Sequence, residues 1–525
     1  MPRYLGLDSS TQSLSAIVID TNTSQVVASH DINFGERLPG YGSPKGFLPN
    51  ADPTLRHADP LMWVEALDLL FAELPGKGID LSTISAIGGA GQQHGSVYLA
   101  SPIAGLGDGS VPLRDRLRPL LSRKTAPIWM DTSTSTECAE IARAMGGDEA
   151  VVQRSGSRAI ERFTGPQIRK FWKEAPAEYE RTTRIQLVSS FMASVLAGES
   201  VPIEFGDGSG MNLLDLGAGD WHPGLLDATA PGLREKLQAP VKSATVVGTI
   251  ADYFVRRYGL SKGTKIVAFT GDNPSSLVGM GATRPGTAVL SLGTSDTVFA
   301  AMAAPRTDAK GFGHAFANPA GGFMALSCFI NGSLAREEVA KTFGLDWPAF
   351  TDAILKETKP GNGGNLMLPF FSPEITPRLP RACATYLGDD SFTQKAQPAA
   401  AVRAVVEGQA LNLKAHSRWI GETFQTIRVT GGASKNPGIL RILADVFQAT
   451  ILPLKTANAS ALGGALRAAQ AAGTASFADL EAQFSKPEEA LAVAPDPKTK
   501  DCYTELQEKF DRALAELLAV ELVKG

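Results

Sequence analysis

The chain has 525 residues, which is more than one ordinary hydrophobic core needs and therefore argues for two or more domains. Hydrophobic residues make up 43% of the chain and charged residues 20%, a balance typical of soluble globular proteins. The formal net charge of -4 gives no basic surplus, so we expect neither nucleic acid nor an anionic membrane as a partner.

Cysteine usage and the N-terminus both bear on the compartment. The four cysteines lie far apart without paired metal-ligand spacing, which argues against structural zinc and favours free thiols in a reducing compartment. The N-terminus carries no basic-then-apolar leader, and no apolar run approaches the ~20 residues that a helix needs to cross a bilayer. We therefore expect a cytoplasmic protein.

The first hundred residues alternate strand-like apolar runs with one amphipathic stretch. The runs YLGLD, SAIVID and ISAIGGAG predict strands, and PLMWVEALDLLFAEL predicts a helix. The segment NFGERLPGYGSPKGFLPNADP is rich in Gly, Pro and Asn and predicts a long loop. Together these segments predict an α/β layer.

The first strand-like run leads to Asp8 and the hydroxyl-rich stretch SSTQS. Backbone N–H groups and hydroxyls in such a loop suit phosphate oxygens, which makes Ser10, Thr11 and Gln12 candidate ligands. A carboxylate repels phosphate unless a cation lies between them, and Mg²⁺ is typically held by one or two carboxylates plus phosphates. Asp8 is therefore a predicted metal-side ligand, although a plain hairpin turn explains the loop equally well on its own.

His94 follows the third apolar run, in AIGGAGQQHGSVYLA. Glycines and two glutamines flank it, which is unusual for a side chain that only fills a core. A lone histidine is nevertheless more often structural than functional, so the local sequence leaves its role open.

A second α/β pattern begins near TKIVAFTGDNPSSLVGMGA and continues through TAVLSLGTSDTVFAAMA. The loop GTSD, residues 293–296, lies between two strand-like runs and echoes the opening hairpin. This echo predicts two related domains with a boundary near residues 245–262. We place the domains at residues 1–258 and 259–525.

The run VAFTGDN ends at Asp272 and Asn273, with Pro274 behind them. A buried strand that ends in Asp-Asn can direct a carboxylate into a cleft, where it could accept the proton of a hydroxyl that attacks phosphorus. The alternative is that Asp272 caps the next helix.

The stretch VTGGASKNPGILRILADVF joins an apolar run to a helix through Gly431 and Gly432. Ser434 is the candidate N-cap and Pro437 belongs to the first turn. The two glycines would let a flat group approach the backbone, but a simple strand-to-helix connection is an equally good interpretation. The tail TELQEKFDRALAELLAVEL predicts an amphipathic helix.

In their order and spacing, the Asp8 loop, SLGTSD, TGGASKN and TGDN resemble the actin-like sugar kinases of the FGGY carbohydrate kinase family, from Tyr4 to about Ala469. The segments GAGQQHGS, PIWMD, GSRAIERFTG and FGDGSGMNLLD resemble the same family. The resemblance implies two actin-like (ribonuclease H-like) ATPase domains flanking a catalytic cleft. The first would bind mainly the sugar and the second mainly ATP, with Mg²⁺ as the metal.

The resemblance also implies roles for individual residues. Sugar contacts fall on His94, Arg162, Asp272 and Asn273, with Asp272 as the general base and Asp131 as a further candidate. Phosphate contacts fall on the Asp8 to Ser13 loop and on Gly293, Thr294 and Ser295. Adenosine contacts fall on Gly432, Ala433 and Asn436, with Trp347 near the adenine.

The sequence departs from the family pattern in two places. Arg169 stands where the first family signature has Lys, three residues before Trp172, and the second signature before VVEGQAL is poorly kept. These departures weaken the inference that the family's sugar range applies to this chain. The resemblance implies a ketose as the substrate, and ribulose, glycerol or gluconate are the alternatives. An actin-like ATPase that alters no sugar is the rival from another class. The oligomeric state stays open, a homodimer included.

Overall fold

The computed structural model describes residues 2–455 and 458–524, which form two compact units. The first unit comprises residues 2–283, 315–324 and 458–486, and the second comprises residues 284–314, 325–455 and 487–524. The position after residue 258, where the sequence suggested a boundary, therefore falls inside the first unit.

A twisted sheet forms the centre of the first unit. Its strands are β1 (Arg3–Ser9), β2 (Ser13–Asp20), β3 (Gln25–Asn33), β4 (Ile84–Gly91), β5 (Val246–Thr249), β6 (Lys265–Val267) and β7 (Thr270–Gly271). The order is β5-β6-β4-β1-β2-β3, and β7 also pairs with β4. Both β6 and β7 run parallel to β4, which is why residues 265–271 belong to this unit.

The second unit contains a sheet of related topology. Its strands are β8 (Thr287–Leu292), β9 (Asp296–Met302), β11 (Phe323–Phe329), β12 (Thr426–Thr430) and β13 (Thr450–Pro453), and β10 (His314–Ala317) precedes β11. Five of these six strands lie in the order β11-β9-β8-β12-β13. The antiparallel β8–β9 hairpin lies beside parallel β12, just as the β1–β2 hairpin lies beside parallel β4. The predicted similarity of the two hairpins is therefore present.

Helices surround both sheets. In chain order they are α1 (Pro60–Glu73), α2 (Ser135–Met145), α3 (Asp148–Ser155), α4 (Thr164–Glu174), α5 (Pro176–Arg181), α6 (Val188–Ala197), α7 (Pro223–Thr229), α8 (Asp252–Tyr258), α9 (Asp272–Gly279), α10 (Ser333–Thr342), α11 (Trp347–Asp352), α12 (Pro398–Ala415), α13 (Pro437–Phe447), α14 (Ala459–Ala471), α15 (Phe477–Phe484) and α16 (Lys500–Lys524). Shorter helices span Phe34–Arg37, Leu113–Leu117, Phe205–Gly208, Leu233–Lys236 and Asp390–Thr393.

Several two-stranded sheets complete the described elements. In the first unit they pair His57–Ala58 with Ala126–Pro127, Ser96–Leu99 with Arg184–Leu187, and Leu214–Asp215 with Asp220–Trp221. In the second they pair Leu366–Leu368 with Thr385–Leu387, and Glu374–Ile375 with Arg378–Leu379. Within the described residues, no helix is long and apolar enough to span a bilayer.

Helix α14 explains why a late segment of the chain belongs to the first unit. It packs on β1 and β4, where a Cβ on Gly6 would lie 1.9 Å from the carbonyl oxygen of Ala461. On β4, a Cβ on Gly88 would lie 2.3 Å from the carbonyl oxygen of Gly464. Only glycine permits this close approach of helix and sheet.

Candidate active site

Three strands of the first sheet end side by side, and each leads into polar residues. Gly91, at the end of β4, lies opposite Ser9 of β1 and Gly271 of β7, and all three strands are parallel. Asp8, Gln93 and Asp272 therefore gather at the carboxyl edge of the sheet, where α/β proteins commonly bind ligands.

Asp8 carries a buried carboxylate that the protein only half satisfies. Its side chain is 7% exposed, and Oδ2 accepts a hydrogen bond of 2.5 Å from the hydroxyl of Ser10. Burial raises the pKa of Asp8, the hydrogen bond from Ser10 opposes the rise, and the charge of Asp31 adds to it. Oδ1 has no hydrogen-bond partner among the described residues. A cation would satisfy this oxygen, because carboxylate oxygen is a preferred ligand of Mg²⁺.

The protein itself offers few other ligands to such a cation. Across the described residues, no cluster of three or more His, Cys, Asp or Glu side chains is arranged to hold a metal. A cation at Asp8 would therefore complete its coordination with water and substrate phosphates, which is the usual mode for Mg²⁺.

The other predicted members of the first loop lie in the turn between β1 and β2. The backbone N–H of Ser10 donates to the carbonyl of Ser13 at 3.0 Å, which closes the turn. The hydroxyl of Thr11 accepts a 2.8 Å hydrogen bond from the indole N–H of Trp129, and Gln12 is exposed.

One carboxylate oxygen of Asp272 accepts hydrogen bonds from the protein, and the other accepts none among the described residues. Oδ1 accepts hydrogen bonds from the backbone N–H of Gln93 at 3.4 Å and from the backbone and side-chain nitrogens of Asn273 at 2.8 and 3.1 Å. Among the described residues, Oδ2 accepts none. Burial, aided by the negative charge of Asp8, raises the pKa of Asp272 to about 7. An untied carboxylate oxygen with that pKa suits a general base.

The structure removes the capping alternative for Asp272. Helix α9 begins at Asp272 itself, its N-cap is Gly271, and no side-chain hydrogen bond caps it. The acid therefore does not serve as the N-cap of that helix.

Asn273 is fixed by its neighbours. Its side-chain nitrogen donates to Oε1 of Gln93 at 2.8 Å and to Oδ1 of Asp272 at 3.1 Å. Because these two bonds use both N–H groups, only the carbonyl oxygen of Asn273 remains for a ligand. Asn273 can thus accept a hydrogen bond from a sugar hydroxyl but not donate one.

His94 is a buried neutral imidazole. Its ring stacks on Phe163 at a centroid distance of 4.1 Å, and Nδ1 lies 2.7 Å from the carbonyl oxygen of Gly210. Burial and the charge of Arg162 lower the pKa of His94 to about 3. Because Nδ1–H donates to the Gly210 carbonyl, Nε2 carries the lone pair and can accept a hydrogen bond from a ligand.

Asp131 serves a loop. It is fully buried, and Oδ1 accepts hydrogen bonds from the backbone N–H and hydroxyl of Ser133 and from the amide of Gln167. Oδ2 accepts from the backbone N–H of Arg56 at 2.9 Å. These bonds hold the loop of Asp131 in place, and its role as a sugar contact stays a prediction.

The loop of residues 293–295 in the second unit connects β8 to β9. Gly293 donates to the carbonyl of Ser295 at 3.3 Å, and Thr294 and Ser295 are exposed. Directly after the loop, Asp296 forms a two-pronged ion pair with Arg336, with N–O distances of 3.1 and 3.2 Å. The exposed hydroxyls are thus presented by a loop whose base is electrostatically fixed.

A cleft of about 530 Å³ in the second unit brings the four predicted adenosine residues together. Its lining consists of Ser333, Arg336, Glu337, Trp347, Pro348, Thr351, Gly432, Ala433, Lys435, Asn436, Pro437 and Ile439. The ring of Trp347 is 47% exposed. The prediction of Ser434 as N-cap is wrong, since Asn436 accepts from the N–H groups of Gly438 and Ile439 and donates to Thr351.

Comparison with known proteins places the chain in a family. The N-terminal domain of the FGGY family of carbohydrate kinases matches residues 3–279, and the C-terminal domain matches residues 288–472. The chain belongs to this family. The xylulose kinase of Rattus norvegicus is 40% identical to this FGGY kinase over 96% of this chain and 95% of its own, and xylulose kinase 2 of Arabidopsis thaliana is 38% identical over 89% and 86%.

Solved structures confirm the predicted fold of this FGGY kinase. Xylulose kinase from Rhodospirillum rubrum has a TM-score of 0.82 at 21% identity over 99% of both chains. Gluconate kinase from Lactobacillus acidophilus has a TM-score of 0.81 at 20% identity over the full length of both. These neighbours carry the actin-like, ribonuclease H-like fold.

Two residues that the sequence did not single out are hydrogen-bonded to predicted site residues. Trp129 is 42% exposed and is hydrogen-bonded to Thr11 of the first loop. Its sequence signal was its place in PIWMD, two residues before the candidate Asp131. Gln93 bonds directly to Asn273, and its only sequence signal was adjacency to His94.

Proposed function

We propose that this chain is a cytoplasmic, ATP-dependent kinase that phosphorylates D-xylulose to D-xylulose 5-phosphate. The observation that carries the proposal is Asp272, whose untied carboxylate oxygen and raised pKa suit a base for a sugar hydroxyl. The choice of D-xylulose rests on the curated relatives, which are named xylulose kinases and align along nearly the whole chain.

In this proposal the sugar is bound mainly by the N-terminal domain, residues 1–258, with Asp272 and Asn273 contributed from beyond it. Nε2 of His94 and the carbonyl oxygen of Asn273 accept hydrogen bonds from sugar hydroxyls, and the guanidinium of Arg162 donates to them. These three groups orient the sugar so that its terminal hydroxyl lies beside Asp272.

ATP is bound mainly by the C-terminal domain, residues 259–525. Trp347, Gly432, Ala433 and Asn436 border the adenosine, and their common cleft in the second unit supports this role. Phosphate oxygens accept hydrogen bonds from Ser10, Thr11 and Gln12 in the first loop and from Gly293, Thr294 and Ser295 in the second.

Asp8 is the residue that would hold Mg²⁺, directly or through water, because its Oδ1 is buried and unsatisfied. When bound, the cation neutralises phosphate charge. Oδ2 of Asp272 takes the proton of the terminal hydroxyl while that oxygen bonds to the γ-phosphorus. The bond from the γ-phosphorus to its bridging oxygen breaks, and ADP leaves.

Coupled ADP release tests the proposal across D-xylulose, ribulose, glycerol and gluconate. We expect the highest kcat/KM with D-xylulose and little ADP release without sugar. A higher kcat/KM for another acceptor would reassign the substrate within the family. Sugar-independent ADP release together with ATP-dependent sedimentation would instead favour an actin-like ATPase that assembles into filaments.

A further inference from the structure

Gln93 is a buried side chain that bonds directly to the candidate catalytic pair. It is 2% exposed, and its Oε1 accepts a 2.8 Å hydrogen bond from the side chain of Asn273. Its backbone N–H donates to Oδ1 of Asp272. The amide of Asn273 is therefore held by Gln93 on one side and Asp272 on the other.

The other end of the Gln93 side chain lies near a second acid. Nε2 of Gln93 and Oδ1 of Asp207 are both buried and have no hydrogen-bond partner among the described residues. Both side chains border the position that a Cβ on Gly271 would take, with Oδ1 of Asp207 at 2.8 Å and Cδ of Gln93 at 2.9 Å. The unpaired donor of Gln93 and the unpaired acceptor of Asp207 thus belong to side chains that both border Gly271, the residue directly before Asp272.

Asp207 is itself held in place from behind. Its side chain is 1% exposed, and Oδ2 accepts a hydrogen bond from the hydroxyl of Ser189. Its backbone N–H donates to Glu204 at 3.1 Å, and Glu204 in turn accepts from Ser243. Asp207 and the nitrogen end of Gln93 thus lie close to the same glycine without a hydrogen bond between them.

We propose that Gln93 is a positioning residue for phosphoryl transfer, with its amide oxygen orienting Asn273 and, through Asn273, Asp272. The inference rests on the proposed function, because it assumes that Asp272 is the base. A carboxamide suits this role because its oxygen accepts the hydrogen bond from Asn273 and adds no charge beside Asp272.

The first test is Gln93→Met, which keeps the length of the side chain and removes both polar ends. We expect kcat with D-xylulose to fall roughly 10- to 100-fold, because small displacements of reacting groups have effects of this order. The KM for ATP should not change. Full retention of kcat in Gln93→Met would overturn the inference.

A control separates positioning from stability. Gln186 is equally buried in the first unit and donates to Ser194 and to the carbonyl of Val201, without contact to Asp272. Gln186→Met should lower the melting temperature as Gln93→Met does, yet keep kcat. An equal loss of kcat in both variants would show that Gln93 acts only through stability.

The second test is a double-mutant cycle with Asn273→Ala. If Gln93 acts through Asn273, adding Gln93→Met to Asn273→Ala should lower kcat much less than Gln93→Met does alone. Fully additive losses of kcat would overturn the route through Asn273. If the unaltered enzyme phosphorylates D-xylulose while all variants match it, only this inference fails. If the unaltered enzyme phosphorylates no sugar, the proposed function fails as well.

Discussion

The hairpins β1–β2 and β8–β9 share a topology but treat their acids differently. Each is antiparallel and lies beside a parallel strand, β4 or β12. In the first, Asp8 precedes the loop and keeps an oxygen without a hydrogen bond among the described residues. In the second, Asp296 follows the loop, and both of its oxygens are paired with Arg336.

This difference separates an acid available for chemistry from an acid used for structure. The charge of Asp8 repels that of Asp272 and contributes to the raised pKa of Asp272, a cost that a cation would relieve. The charge of Asp296 is neutralised inside the protein, and its ion pair fixes the loop geometry. One hairpin thus carries an acid with an unsatisfied oxygen, whereas the acid of the other is satisfied by Arg336.

The largest effect should come from Asp272→Ala. General-base assistance is typically worth ~10²- to 10⁴-fold in rate, so kcat with D-xylulose should fall by that order. The melting temperature should hold or rise, because the variant removes a buried carboxylate that burial destabilises. Retention of a substantial fraction of kcat would show that another group takes the proton.

Asp296→Asn tests whether the acid of the second hairpin serves only to stabilise the fold. The variant leaves the buried guanidinium of Arg336 without its counter-charge, which typically costs on the order of 3–5 kcal/mol of unfolding free energy. Chemical denaturation measures this loss. The Mg²⁺ concentration for half-maximal rate should stay constant in the folded fraction, and a shift in that concentration would mean that Asp296 also belongs to the metal site.

Asp8→Asn makes the same substitution in the first hairpin and tests whether Asp8 holds Mg²⁺. It keeps the size of the side chain but removes the charge that would hold Mg²⁺, so the enzyme should need far more Mg²⁺ and lose kcat. The KM for D-xylulose should barely change. If Asp8 only pins its loop, thermal melts should instead show lower stability beside an unaltered Mg²⁺ requirement.

The pH profile should distinguish the two acids again. Asp272 must be ionised to act as base, so kcat/KM should fall roughly tenfold per pH unit below a midpoint near the Asp272 pKa of about 7. In Asp8→Asn this acid limb should move to lower pH, because the repelling charge is gone. Asp296→Asn should leave it in place, and identical shifts in both variants would contradict the separation of roles.

Local sequence signals predicted the two hairpins, the strand-ending Asp272 and the α/β class, each from short apolar runs and the polar residues that end them. The actin-like fold was implied by the resemblance to the FGGY family. The return of α14 to the first unit gave no such signal, because it depends on the approach of Ala461 to Gly6 across more than 400 residues of chain. Periodicity describes one element at a time and is silent about partners so distant.

The same limit applies inside the site. Asp131 and Trp129 are two residues apart in PIWMD, yet the acid is fully buried and the aromatic ring is 42% exposed, the reverse of what residue type suggests. The hydrogen bonds that Asp131 accepts from Ser133, Gln167 and Arg56 allow its burial. The N-cap of α13 is a similar case. Ser434 and Asn436 are both residue types that favour an N-cap, and only the position where the turn ends selects Asn436.

The smallest effect should come from His94→Ala, which tests whether the first unit binds the sugar without affecting ATP. The neutral imidazole offers Nε2 to a sugar hydroxyl, and losing one partner of a buried hydrogen bond costs ~1 to 3 kcal/mol. The KM for D-xylulose should rise accordingly, while the KM for ATP stays constant. His222→Ala is the matched control, since His222 caps α7 and its loss should lower stability without changing either KM. Equal increases in both KM values for His94→Ala would show that the imidazole supports the fold and does not select the sugar.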